Sequence, residues 1–106
     1  MKSFANMMKQ AQELQGRMTD LQAEMERARV EGRSGGGLVV LTLNGKGELA
    51  GVDIDPSLLK PDEAEILEDL IVAAHADTKV KVEQLMQEKM QGLTGGLPLP
   101  PGLKLF

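Results

Sequence analysis

The chain has no cysteine, tryptophan or tyrosine, and its aromatic residues are two phenylalanines. Without cysteine there is neither a disulfide framework nor a thiolate metal site, and the composition suits the cytoplasm. Phe4 and Phe106 stand near opposite ends, so no run of aromatic platforms exists on which single-stranded nucleic acid could stack. His75 is the one histidine and falls inside a predicted helix, where a surface or core position is expected rather than a ligand. Ser3, Ser34 and Ser57 have no histidine nearby in sequence to act as a base. The acid pairs Asp53/Asp55 and Glu68/Asp69 read as solvated charge, not as cation sites. Gly45-Lys46-Gly47-Glu48-Leu49-Ala50 is a loose match to a dinucleotide fingerprint, but it leads into a strand instead of a helix. Gly35-Gly36-Gly37 lacks the Gly-Lys-Ser/Thr of a P-loop. Catalysis, a cofactor, a metal and a small-molecule substrate are therefore not expected. The apolar run Leu38 to Leu41 is too short for a membrane span, and Lys2 has no apolar run behind it, so no signal peptide is expected.

What the chain does have is a long periodic helix. Phe4, Met7, Ala11, Leu14, Met18, Leu21, Met25 and Ala28 follow one another at gaps of 3, 4, 3, 4, 3, 4 and 3. Four heptads of this kind place one seam on a helix, and the seam needs something to cover it. No proline interrupts it, and Gly16, off the seam, costs about 1 kcal/mol relative to alanine. Such a helix is too long for a compact body of this size and is expected to project as an arm. Its methionine- and alanine-rich seam is adaptable and weakly specifying.

Ser3 is the expected helix cap, and the helix is expected to fray near Ala28 to Val30. Val30-Glu31-Gly32-Arg33 reads as a short edge strand before the glycine turn. Leu38-Val39-Val40-Leu41-Thr42-Leu43 is a strand with two mostly apolar faces, so a second subunit is expected to cover whichever face the helices leave. Asn44-Gly45-Lys46-Gly47 reads as a tight turn with Asn-Gly in the positive-φ positions. Glu48 to Ile54 returns as a strand carrying Leu49, Val52 and Ile54, with Gly51 marking a bulge. Asp55-Pro56 reads as a capped turn. Pro61 opens a second helix whose apolar face is Ile66, Leu67, Leu70, Ile71, Ala73, Ala74, Val82, Leu85, Met86 and Met90 and which Gly92 ends. The Gly/Pro-rich tail carries Leu97, Leu99, Leu103 and Leu105, to be docked by its leucines or mobile. A single domain is expected: arm 1–29, antiparallel sheet 30–55, helical region 56–92, tail 93–106.

The formal net charge of −4 is unevenly spread. Residues 44–77 carry −7, whereas residues 1–19 and 78–106 each carry +2. The two basic ends fit either ordinary solvated faces or phosphate contacts.

The order of motifs is informative. Val30-Glu31-Gly32 leads to Ser34-Gly35-Gly36-Gly37-Leu38-Val39, then Asn44-Gly45-Lys46-Gly47. Next come Val52-Asp53-Ile54-Asp55-Pro56-Ser57-Leu58-Leu59, Leu67-Glu68-Asp69-Leu70-Ile71-Val72-Ala73-Ala74 and Gln87-Glu88-Lys89-Met90. The tail has Gly95-Gly96 and Leu99-Pro100-Pro101-Gly102, and Met7-Met8-Lys9-Gln10-Ala11-Gln12 lies near the start. Over essentially the whole chain this resembles the YbaB/EbfC family of bacterial nucleoid-associated DNA-binding proteins. The resemblance implies an α+β fold: a long N-terminal helix, a three-stranded antiparallel sheet and a long C-terminal helix, in an intertwined, tweezer-like homodimer. It implies duplex DNA as partner, a nucleoid location and a role in nucleoid organisation and gene expression. By the resemblance, Lys2, Lys9, Arg17, Lys79, Lys81 and Lys89 are the DNA-contacting candidates. Arg27, Arg29 and Arg33 come next, unless Glu24, Glu26 or Glu31 pair with them. Leu38, Val39, Val40, Leu41, Leu43, Val52 and Ile54 form the core and dimer set. The alternative is a prefoldin-like holdase gripping apolar segments of other proteins with the methionine-rich arms.

Overall fold

The computed structural model describes residues 2–94, and the side chains of residues 3–92. Helix α1 (Lys2–Arg27) leads into strands β1 (Val30–Ser34), β2 (Val39–Leu43) and β3 (Leu49–Ile54), and helix α2 (Ala64–Thr94) follows. The sheet is antiparallel in the order β1-β2-β3. This is the α+β architecture expected. The molecule measures 72 × 27 × 16 Å, with a radius of gyration of 19.7 Å, against about 13 Å for a compact chain of this length. The elongation comes from two helices of roughly 39 and 46 Å.

The core lies between β2 and α2. Val39, Leu41 and Leu43 alternate onto one face of β2 and are buried with Leu58, Ala74 and Val82, as period-2 patterning requires. Thr78 is the buried polar residue of α2, its hydroxyl 2.6 Å from the Ala74 carbonyl and 3.2 Å from that of Leu41. Gly32 of β1 lies directly beneath it. A Cβ there would sit 2.1 Å from the Thr78 hydroxyl oxygen and 2.4 Å from its backbone nitrogen, so glycine is what lets strand and helix meet.

Helix α2 packs on β1 and β2, which sets how far each residue of the predicted core and dimer set is buried within one chain. Leu38, Val40 and Ile54 are half-buried, and Val52 is 42% exposed. Leu41 pairs with Val52, Val39 with Ile54 and Leu43 with Leu49, so β3 presents its apolar residues on the core face, beside α2 and not beneath it. On the opposite face Val40 and Thr42 pair with Arg33, Asp53 and Glu31. Cross-strand charge makes that face polar. The uncovered apolar surface is thus at β3, not on the second face of β2. In α2, Ile66 is exposed and so is Ala73, because the helix turns these positions away from the sheet.

Local expectations fare unevenly. Helix α1 starts at Lys2, so Ser3 lies inside the first turn and does not cap it. The β2–β3 turn forms at Asn44-Gly45-Lys46-Gly47, but the positive φ (84°) falls on Gly47, not on Asn-Gly. Asn44 closes the turn with its side chain, accepting from the backbone N–H of Lys46 (2.9 Å) and Glu48 (3.0 Å). Gly51 faces Thr42 while Leu49 faces Leu43, so Ala50, next to the predicted glycine, is the bulged residue. Asp55 accepts from Ser57 N–H at 2.9 Å ahead of Pro56, as expected. Residues Pro61–Glu63 form a 3₁₀ turn before α2. Gly92 does not end the helix; it is absent from the positive-φ glycines and α2 runs on to Thr94. Docking or mobility of the tail from residue 95 onward lies outside the described residues.

Candidate nucleic-acid interface

Every described side chain from residue 3 to residue 20 is exposed. Phe4 is 67% exposed, Leu14 50% and Met18 41%, whereas Met25 is 1% exposed. The heptad seam is therefore bare along the outer arm and covered only at its root. The root is fixed by the β2–β3 turn: Gly45 N–H donates to the Met25 carbonyl at 2.7 Å, and Lys46 Nζ pairs with Glu26 at 3.1 Å. A Cβ on Gly45 would fall 2.6 Å from Met25 Sδ. Close approach, not turn conformation, makes that residue glycine.

The five predicted cations whose side chains are described do not form one patch. Lys9 and Arg17 lie on the outer arm, about 12 Å apart along the axis. In the heptad, Lys9 takes the position opposite the a/d seam and Arg17 one at its margin, so charge and apolar stripe face largely different ways. Lys2 shares the heptad position of Lys9, and its side chain lies outside the described residues. Residues 2–12 contain no acid, and the first turn of α1 has none, the reverse of what the helix dipole favours. Such a placement concentrates positive potential at the arm tip.

The α2 lysines are different. Lys81 pairs with Asp77 at 3.3 Å and donates to the Glu31 carbonyl at 3.0 Å. Lys89 pairs with Glu24 across the two helices. Lys79 borders a groove with Leu43, Lys46, His75, Val82 and Glu83. Among the described residues, Lys9, Arg17 and Lys79 carry no ion pair. Of the secondary candidates, Arg33 pairs with Glu31 at 3.3 Å, and Arg29 donates to the Glu26 and Ala28 carbonyls at 3.0 Å each.

Asp77 was absent from the predicted set. It accepts from Arg33 N–H at 3.0 Å, and this bond, with Lys81 beside it, holds its carboxyl below the ordinary aspartate value. The Asp77/Lys81 spacing of i, i+4 was the signal available for the pair; the bond to β1 had none. Lys46 was also missed, because only folding brings the turn to the end of α1.

The YbaB/EbfC DNA-binding family profile matches residues 1–97. The chain belongs to that family. Relatives described as nucleoid-associated proteins run the length of this family member. One from Rhodopseudomonas palustris strain BisB5 is 62% identical over 105 residues, 99% of each chain. One from Agrobacterium fabrum is 58% identical over 105 residues, 99% of this chain and 98% of the relative. The crystal structure of the Helicobacter pylori protein HP0035 superposes with a TM-score of 0.75 at 25% identity, covering 87% of this chain and 97% of that one. No helix among the described residues is long and apolar enough to cross a membrane.

Proposed function

We propose that this YbaB/EbfC protein binds duplex DNA as a homodimer, with the outer arms supplying the phosphate contacts. The observation that carries the reading is the outer arm of α1, acid-free over residues 2–12, along which Lys9 and Arg17 stand exposed and without an ion pair. Lys2 and Lys79 join them as leading contacts. Lys81 and Lys89 are secondary, because a phosphate must first displace Asp77 or Glu24. Each cation that settles on a phosphate releases counterions and adds to the affinity without reading sequence. The role that follows is nucleoid organisation and gene regulation from the cytoplasm. Family membership favours this over a prefoldin-like grip on apolar clients.

The dimer uses the uncovered apolar surface between α2 and β3. Leu41, Leu43 and Ile71 form the floor of a groove there, and Leu49, Val72 and His75 its walls. Leu49 is 63% and Val72 70% exposed in the single chain. Large apolar side chains so placed are what an interface between two copies buries.

Fluorescence anisotropy with a labelled duplex at two salt concentrations, with size exclusion on the same sample, tests both parts. A dimer-sized species whose binding collapses on adding salt is expected. A dimer that fails to bind at low salt refutes the DNA reading.

A further inference from the structure

Helix α1 is a lever with a short fixed end. Among the described residues Met25 is 1% exposed and Leu21 and Ala23 are half-buried, whereas the side chains of residues 3–20 are all exposed. The free end, residues 2–20, is roughly 27 Å long. Met25 is the fulcrum, tied through its carbonyl to Gly45 N–H. Beyond Arg27, two residues outside helix and strand, Ala28 and Arg29, join the lever to β1.

Two ion pairs brace it. Glu26 meets Lys46 of the β2–β3 turn at 3.1 Å, and Glu24 meets Lys89 of α2. Residues two apart lie roughly 200° around a helix, so the two carboxylates hold α1 from nearly opposite sides. The four side chains are 38% to 59% exposed, and exposed pairs weaken as salt is added.

The brace to α2 has a second effect. Beside it the two helices part around an open cleft of ≈ 470 Å³, with Arg17, Asp20 and Glu24 on the α1 side and Glu88 and Lys89 on the α2 side. Arg17 offsets one of the two α1 carboxylates, so that side is negative, while Lys89 neutralises Glu88 on the other. Without the Lys89 charge the α2 side is negative as well. Like charge then faces like charge across the cleft, within the Debye length of about 10 Å at 0.1 M salt. Lys89 thus attracts the arm and also cancels a repulsion.

We propose that the Glu24–Lys89 pair is a latch that sets the angle of the α1 arm and that rising ionic strength releases. With the latch shut the arm holds one angle to α2. With the pair screened the arm swings about Met25, and the exposed Lys9 and Arg17 swing with it. A swing of about 10° displaces Asn6, roughly 28 Å from Met25 along the axis, by about 5 Å. The inference concerns the arm of a single chain and depends on neither the DNA reading nor the dimer.

Asn6→Cys and Gln87→Cys, both exposed and outside the ion pairs, are introduced into the cysteine-free chain. The labelled protein is diluted into excess unlabelled protein, so that pulsed electron resonance between spin labels reads distances within one chain. One narrow distribution is expected at 50 mM salt and a broad one at 1 M. Lys89→Gln at 50 mM salt should broaden the distribution and lengthen its mean by about 2 Å, for a swing of about 10° between helices about 10 Å apart. Salt at 1 M should remove that lengthening and keep the breadth. Glu24→Lys with Lys89→Glu, which rebuilds the pair in reverse, should restore the narrow distribution at 50 mM. A distribution that is broad at 50 mM in the parent protein, or that stays narrow at 1 M salt or in Lys89→Gln, overturns the inference. A reversed pair that stays broad overturns it too.

Discussion

The most discriminating prediction concerns which lysines and arginines meet phosphate. Lys9, Arg17 and Lys79 are unpaired, whereas Lys81 and Lys89 are held by Asp77 and Glu24. Counting these three and Lys2 from each of two chains gives about eight neutralised phosphates and a slope of log K against log salt of roughly −7.2, at about −0.9 per phosphate. Between 50 and 200 mM salt that slope weakens binding roughly 20,000-fold. Lys9→Ala with Arg17→Ala leaves about four phosphate contacts per dimer, a slope of roughly −3.6 and a loss of only about 150-fold over the same range. Affinity at the lower salt should fall for all duplex sequences alike, since phosphate contacts carry no sequence information. Lys81→Ala with Lys89→Ala, which also removes two cations per chain, should leave the slope nearly unchanged. Its cost should appear instead as stability, about 0.2 to 1 kcal/mol for each exposed pair broken. Anisotropy titrations of the three proteins across the salt range measure all of this. Equal slopes for the two double variants would refute the distinction between free and committed cations. A steeper loss of slope in the α2 variant would move the interface to the body.

Gly32→Ala puts a Cβ 2.1 Å from the Thr78 hydroxyl oxygen and 2.4 Å from its backbone nitrogen; overpacking of this kind costs about 1 to 3 kcal/mol or more, a fall in Tm of at least about 4 °C in a circular-dichroism melt, and an unchanged Tm would disprove the contact. Leu49→Glu with Val72→Glu, two exposed positions in the single chain, should convert a dimer to a folded monomer by size exclusion; a dimer that persists places the interface elsewhere. Asp77 is held below the ordinary aspartate range by Arg33 N–H and Lys81. Its contribution to stability is thus full above about pH 5 and lost as pH falls through the ordinary value near 3.9 toward the lower folded one. Asp77→Asn should flatten that part of the acid limb in denaturant melts taken from pH 6 to pH 3, and an unaltered limb counts against the bond to β1.

Local order was legible because local physics dictates it. The heptad gaps from Phe4 to Ala28 specify one long helix, the apolar run from Leu38 to Leu43 specifies a strand though not which of its faces is buried, and Asp55-Pro56 specifies its own turn. Motif order likewise pointed to the family, and with it to DNA. The tertiary structure decided everything that depends on which surfaces meet. Helix α2 settles over β1 and β2, and so turns Val52 from a core residue into a half-open one and leaves Leu49 and Val72 bare. Gly32 and Gly45 are glycines because Thr78 and Met25 approach them across long stretches of chain, and no local pattern announces a distant neighbour. The same holds for the cations. Six basic residues look alike in sequence, and only their partners in space, Asp77 for Lys81 and Glu24 for Lys89, separate those already committed from those free to bind. Periodicity is a property of neighbours along the chain, whereas pairing and coverage are properties of neighbours in space.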